Sequence, residues 1–273
     1  MSSPAEILPG VLFYSYQSAV RNEKACVWNH PTLILQVSGQ LVLEAAGQTS
    51  SIGDGDLLLI GKNQLGKLSK TPPPGGNYET IVISLQEELL RRIALEEKLQ
   101  ADGAYTGPPN SLIPLNEFLH GYFQSIVPYA RRSGTRMTDE LGILKLKEGV
   151  KLLLLARPEL RNLLFDFSVP HKIDLAKFMR SNFQFNIPVE KFAQLTGRSL
   201  AAFKRDFTKT FGAPPRHWLQ EKRLTEARYL IETSRQKPAA IYLSLGFESL
   251  SHFSHSFKKR FGVSPTTLAR AQS

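Results

Sequence analysis

The phrase "SLAAFKRDFTKTFGAPP", from Ser199 to Pro215, returns fifty positions later as "SLSHFSHSFKKRFGVSP", from Ser249 to Pro265. Ser199/Ser249, Leu200/Leu250, Phe203/Phe253, Phe207/Phe257, Lys209/Lys259, Phe211/Phe261, Gly212/Gly262 and Pro215/Pro265 are identical at that single offset. An unbroken register is the mark of a repeated structural unit, so the C-terminal part of the chain is restricted to folds built from two similar pieces.

Each copy spells a short capped helix. The leading serine is suited to accept from the free N–H groups of the first turn. Phenylalanines at i, i+4 and i+8 fall on one buried face. A glycine then ends the helix where a left-handed residue is needed, and proline follows. Upstream of the copies, "VEKFAQLTGR" and "PAAIYLSLGFE" read as further short apolar helices with Gly197 and Gly246 at the turn, which predicts two helix-turn-helix units.

The positions away from the phenylalanine stripe are Ala201, Ala202, Lys204 and Arg205 in the first copy and Ser251, His252, Ser254 and His255 in the second. Cationic and hydrogen-bonding side chains with small neighbours suit close approach to a nucleic-acid groove. The plainer reading of any one of them is a solvated helix face, but capping, turns, repetition and charge agree. Lys209, Lys258, Lys259 and Arg260 stand near the helix ends and are predicted to touch phosphates, with the capping Ser199 and Ser249. Between the copies, "HWLQEKRLTEARYLIETS" reads as one helix from about His217 to Thr233, with Leu224, Ala227, Leu230 and Ile231 on its apolar side and Leu219 at the edge. Such a helix spans roughly 25 Å at about 1.5 Å per residue. It is a plausible spacer for two recognition helices in successive major grooves, about 34 Å apart.

Charge is divided along the chain in the same way. Of the formal net charge of +10, residues 169–273 hold 18 Lys and Arg against 7 Asp and Glu, whereas residues 1–168 hold 16 against 17. A neutral body joined to a strongly basic end points to a localised polyanion site, most commonly nucleic acid. The single cysteine, Cys26, cannot close an intramolecular disulfide, which favours a reducing compartment. No signal peptide is apparent in "MSSPAEILPG", and "LLLLA" at Leu152 to Ala156 is far shorter than the roughly 20 residues of a membrane span, so a cytoplasmic location without membrane contact is expected.

From Val11 to Leu85 the pattern is of short strands broken by "SG", "AAG", "GDGD" and "GKN", which suggests a barrel or sandwich, with "TPPPGGN" at Thr71 to Asn77 as a loop. Helical spacing follows in "QEELLRRIALEEKLQ", with Leu89, Leu90 and Ile93 on one face, in "LNEFLHGYFQSIVPYA", and from Asp139 to Ala156. In this last helix Ile143, Leu146, Val150, Leu153 and Leu154 share one side, yet Leu141, Leu144, Leu152 and Leu155 sit among Lys145, Glu148 and Lys151. Two readings of the second apolar surface stand open: packing within its own domain, or a seam with a second copy across a twofold axis. Pro170 and the change in charge place a domain boundary near Ser168.

The C-terminal residues "IPVEKFAQLTGRSLAAFKRDF", "EKRLTEARYLI" and "LGFESLSHFSHSFKKRFGVSP" resemble the DNA-binding domain of the AraC/XylS family of bacterial transcription regulators. Gly246, Phe247, Ser249, Ser251, Phe253, Phe257, Lys258, Lys259, Phe261, Gly262 and Pro265 match the family pattern; His252 stands where tyrosine is usual, His255 where arginine is common, and Leu250 where the residue is often polar. The resemblance implies a sequence-specific regulator of double-stranded DNA, most often an activator that contacts RNA polymerase. By position it implies base contacts from Ala201, Lys204 and Arg205 in the first unit and from Ser251 and His255 in the second, with Arg205 the foremost.

The N-terminal half resembles the cupin-like sensory domain of the same family, with Gly39, Gly53, Gly55 and Asp56 at turns, and the helices after Gln86 would correspond to its dimerisation helices. The expected fold is therefore α+β: an N-terminal cupin-like β-barrel with accessory helices over residues 1–168, sensory and dimerising, then an all-α DNA-binding domain of two helix-turn-helix units over residues 169–273. Control by a small molecule or by a protein partner at the first domain, and action without an effector, all stand open, as does a homodimer. His30 stands alone on the strands, so no three-histidine metal centre is expected there, and no cofactor. Without that ligand set, a phosphate loop or a nucleophile motif, an enzyme is not expected. The rival is a basic architectural nucleic-acid-binding protein without sequence specificity, which accounts for the charge but not for two capped units.

Overall fold

The computed structural model describes residues 5–8, 12–18, 22–45, 47–131, 137–168 and 172–271. The chain divides into two compact units, Met1–Ser168 and Val169–Ser273. Pro170 and Val11, expected to mark the boundary and the start of the strands, lie outside the described residues.

The first unit contains two antiparallel sheets. One has the order β1 (Ala5–Leu8), β2 (Leu12–Ser18), β9 (Asn77–Ser84), β4 (Thr32–Ser38), β7 (Leu57–Ile60), β10 (Asn110–Ile113). The other has the order β3 (Asn22–Trp28), β8 (Gln64–Thr71), β5 (Gln40–Ala45), β6 (Gln48–Ile52). Among the described residues no ladder joins the two, so the cupin-like fold is an open pair of sheets and not a hydrogen-bonded closed barrel.

The central strands β4, β7 and β9 of the larger sheet are buried on both faces, which is why "LLLI" at β7 reads as an unbroken apolar run. Successive side chains point to opposite faces. Leu33, Leu35, Leu57, Leu59, Ile81 and Ile83 accordingly join one core cluster with the helices. Ile34, Leu58, Ile60 and Tyr78 join a different one with Leu41, Leu43, Ile52 and Leu68 of the second sheet.

The helical side is built from α1 (Glu87–Glu97), α2 (Glu117–Arg131), α3 (Asp139–Ala156) and a short α4 (Arg161–Leu164). Thr138 caps α3 by accepting from the Leu141 N–H. Its inner face holds Leu146, Val150 and Leu153, and Leu141 and Leu152 pack partly against the same core. Leu144 and Leu155 remain 63% and 76% exposed. The second apolar surface is thus split: half of it serves the domain core and half faces outward. Lys147 and Lys151 reach Glu97 of α1 at 2.5 and 2.6 Å.

The second unit is all helix: α5 (Leu175–Asn182), α6 (Val189–Leu195), α7 (Leu200–Phe211), α8 (Pro215–Glu232), α9 (Pro238–Ile241), α10 (Leu250–Phe261) and α11 (Pro265–Ala271). The apolar segment before the second turn forms only the four-residue α9 and then a series of turns. Gly246, at φ +82°, accepts the backbone reversal there.

Gly149 of α3 marks where α2 meets α3, since a Cβ there would lie 2.6 Å from Cζ of Tyr122, a buried ring. Gly149→Ala is expected to lower the urea midpoint by about 1–3 kcal/mol of overpacking, despite alanine's better helix propensity. Gly121→Ala on α2, where a Cβ would meet nothing within 4 Å, is expected to hold or raise the midpoint. Equal effects at the two sites would contradict this packing.

Candidate nucleic-acid interface

The rotational phase of α7 and α10 is set by what each buries. Phe203 and Phe207 of α7 and Phe253 and Phe257 of α10 are fully enclosed, and each fully buried phenylalanine contributes about 1.5–3 kcal/mol. Ring pairs at 5.4 and 4.5 Å run down the first stripe and at 5.7 and 4.7 Å down the second. The ends are fixed alike: the Ser199 hydroxyl accepts from the Ala202 N–H at 3.3 Å and the Ser249 hydroxyl from the His252 N–H at 3.2 Å. Gly212 and Gly262, at φ +70° and +80°, close the last turns onto Thr208 and Lys258 carbonyls.

With the phenylalanines inward, Ala201, Lys204 and Arg205 are exposed at i, i+3 and i+4 on α7, and Ser251 and His255 at i and i+4 on α10. Ala202 and Ser254 are half-buried at the flanks, and the exposed His252 ring lies 5.9 Å from that of Phe247. Lys209, Lys258 and Lys259 are exposed near the helix ends. Among the described residues, the Lys204, Lys209, Lys258 and Lys259 side chains make no intramolecular hydrogen bond or ion pair, so four ammonium groups are free for an anionic partner. Arg260 differs: its Nε lies 2.5 Å from Glu221 of α8, and its guanidinium is 5.3 Å from the Phe261 ring centre. The Ser199 and Ser249 hydroxyls serve as acceptors in their caps and retain a proton to donate.

Several residues that the sequence reading left without a role hold this surface in place. Arg223 of α8 is half-buried and donates from Nε to the Phe183 carbonyl at 2.8 Å, from Nη2 to Phe185 at 2.8 Å and from Nη1 to Gly246 at 3.2 Å. Burial pushes its guanidinium below the ordinary arginine range. The three carbonyls supply charge-assisted bonds in return. One guanidinium thereby joins the end of α5 to the turn of the second unit. Asn186 Nδ2 adds a bond to Glu248 at 3.0 Å. Gly246 leaves room for this junction, because a Cβ there would lie 2.5 Å from the Gln184 carbonyl oxygen. A groove of about 650 Å³ lies within the C-terminal unit, bordered by α6, α8 and the turn before α10, with Arg216, Gln220, Arg223 and His252 on its walls.

In the first unit Arg198, only 10% exposed, pairs its Nε with Asp206 at 3.2 Å. Its Nη1 donates to the carbonyls of Thr196 at 2.7 Å and Ile173 at 3.1 Å. The hydrogen bond from Arg198, with the nearby charges of Arg205 and Lys172, holds the Asp206 carboxyl below its ordinary range. Among the described residues no group of three or more His, Cys, Asp and Glu is placed to hold a metal ion, and no helix is long and apolar enough to cross a membrane.

Comparison with known proteins assigns a description to each unit. Residues 192–271 match the model of a helix-turn-helix domain family, and residues 31–165 match that of the ExsA N-terminal regulatory domain. The thermoregulatory protein LcrF of Yersinia pestis is 27% identical over 248 residues, covering 86% of this chain and 87% of LcrF. The virulence regulon transcriptional activator VirF of Yersinia enterocolitica is likewise 27% identical over 248 residues, with 86% and 87% covered. The HTH-type transcriptional regulator ExsA of Pseudomonas aeruginosa is 30% identical over 128 residues, 46% of each chain.

Replacing Arg223 with lysine keeps the charge but loses the planar fork that reaches three carbonyls. Arg223→Lys is expected to cost about 1–3 kcal/mol, from the partly buried Phe183 and Gly246 carbonyls losing their guanidinium donors. Urea denaturation of the full chain in a Trp28→Phe background, where Trp218 is the remaining tryptophan, checks this by fluorescence; an unchanged midpoint would remove Arg223 from the framework.

Proposed function

The chain belongs to the AraC/XylS family of bacterial transcription regulators, and on that premise we propose that it activates transcription by setting α7 and α10 into successive major grooves of one duplex. It is a sequence-specific DNA-binding protein whose C-terminal unit carries the binding surface. One observation carries the reading. The same capped helix is built twice in the same rotational phase, and each copy turns a basic or hydrogen-bonding face outward.

On this reading Ala201, Lys204 and Arg205 meet bases in one half-site and Ser251 and His255 in the other. Phosphates are held by Ser199 and Lys209 beside α7, and by Ser249, Lys258, Lys259 and Arg260 beside α10. Arg260 exchanges Glu221 for a phosphate when DNA arrives, at small net cost because the existing pair is partly exposed. Lys204 and Arg205 supply cationic fork or point-charge donors, and Ala201 permits close approach. The relatives named as activators support activation, with RNA polymerase as the partner that reads the bound state.

Control enters at the N-terminal unit, through a small molecule or a protein partner; the match to a regulatory domain over residues 31–165 supports this role. The outward half of α3 supports a homodimer, since Leu144 and Leu155 are left exposed there, as is Leu95 of α1 at 83%. The protein works in the cytoplasm, where its DNA is, and its role is regulatory and not catalytic.

Arg205→Ala is expected to lower the ratio of specific to non-specific affinity about tenfold, the scale of one lost bidentate base contact. Lys259→Ala is expected to weaken both kinds of binding and to reduce the slope of log affinity against log salt by about one. Titration of a selected site and a scrambled duplex at several salt concentrations separates the two. If Arg205→Ala left the preferred sequence and affinity untouched, α7 would not be reading bases.

A further inference from the structure

Arg205 is a long side chain, 75% exposed, and a free arginine of that kind samples many rotamers before it meets a base. Here it has a neighbour that restricts it. Asp206 Oδ1 lies 3.5 Å from both Nε and Nη2 of Arg205, so one edge of the guanidinium faces the carboxylate. The opposite oxygen, Oδ2, is held at 3.2 Å by Nε of Arg198. Arg198 is itself anchored by the Thr196 and Ile173 carbonyls and is almost fully buried. A chain of contacts therefore runs from two backbone segments through Arg198 and Asp206 to the tip of Arg205.

We propose that Asp206, clamped by Arg198, is a positioning residue that presents Arg205 end-on to a guanine in the first half-site. With Nε and one hydrogen of Nη2 turned to Asp206, the outer N–H groups of Nη1 and Nη2 are left as the fork, which matches the O6 and N7 acceptors of guanine in the major groove. Ordering the fork in advance removes part of the entropy otherwise lost on binding. The carboxylate also repels a phosphate that would draw the arginine away from the bases, so it favours base contact over backbone contact.

The second unit has no such relay. At the offset of fifty, Arg198 and Asp206 are replaced by Glu248 and the buried Ser256, and the residue in place of Arg205 is His255. Glu248 is engaged by Asn186 and not by a recognition-helix side chain. The two half-sites are thus read with different stringency, and the first unit carries the stricter one.

This inference rests on the reading that Arg205 touches a base, and the test separates the two. Base preference is measured at every position of a selected site for the full chain and for Arg205→Ala, Asp206→Ala and the double variant, together with affinity for a scrambled duplex. Asp206→Ala takes the carboxylate from Arg198, which keeps its bonds to the Thr196 and Ile173 carbonyls, so a urea midpoint measured beside the binding data separates loss of fold from loss of base preference. Asp206→Ala is expected to reduce guanine preference about three- to tenfold at the Arg205-dependent position only. Non-specific affinity should hold or rise, because a negative charge has left the interface. In the Arg205→Ala background the second change should have no further effect on base preference. Arg198→Lys, which keeps charge but not the fork, should reproduce the loss in part. Undiminished guanine preference in Asp206→Ala, or an equal loss in both backgrounds, would overturn the relay while leaving Arg205 as a base reader. A flat preference profile shared by wild type and Arg205→Ala at every position would overturn both.

Discussion

The half-buried guanidinium of Arg223 is the constraint on which the DNA-binding unit depends. Two helix-turn-helix units on one chain read a duplex together only if their recognition helices keep a fixed distance and phase. α8 supplies the distance, but a helix alone does not fix how each unit is rotated about it. Arg223 does so by donating to carbonyls at the end of α5 and in the turn before α10. A charge taken out of water is costly unless its hydrogen bonds are made. That penalty favours the arrangement: a rotation that breaks the three bonds leaves a half-buried cation without its acceptors. Arg228 over the Phe261 ring at 5.2 Å and Arg260 beside Glu221 tie α8 to the far end of α10 as well.

The N-terminal unit solves a different problem with a sheet covered on both faces. Apolar alternation assigns odd residues of β4, β7 and β9 to the helices and even residues to the second sheet, so neither layer can be lost without exposing a core. The helices α1 and α3 are joined by Lys147 and Lys151 against Glu96 and Glu97, and Leu95, Leu144 and Leu155 are left exposed on them.

Much of the DNA-binding unit was legible because its signals are local. Ser199, the phenylalanine stripe and Gly212 lie within fourteen consecutive residues, and each states its own requirement. The same holds for the inner face of α3, where Leu146, Val150 and Leu153 fall at helical spacing. What escaped was determined by contacts distant in sequence. β10 pairs with β7, and nothing in "NSLI" announces a strand beside residues 57–60. Arg223 sits among exposed charges in α8, a helix clamped on more than one side, so no polar face singles it out. Arg260 has its carboxylate 39 positions away and Arg198 one of its carbonyls 25 away. The strand spacing suggests a barrel or a sandwich alike, because it does not say whether a ladder joins the last strands of two sheets; the cupin-like sheets are open.

The most direct test is to select bound fragments of the source genome with the full-length protein at near-physiological salt and to sequence them. The expected result is a shared site with two elements about 10 base pairs apart, the separation of successive major grooves on one face of the duplex. The element met by α7 should show the sharper guanine preference. Bound fragments with no sequence in common would contradict paired readout and leave a basic protein that binds DNA by charge alone.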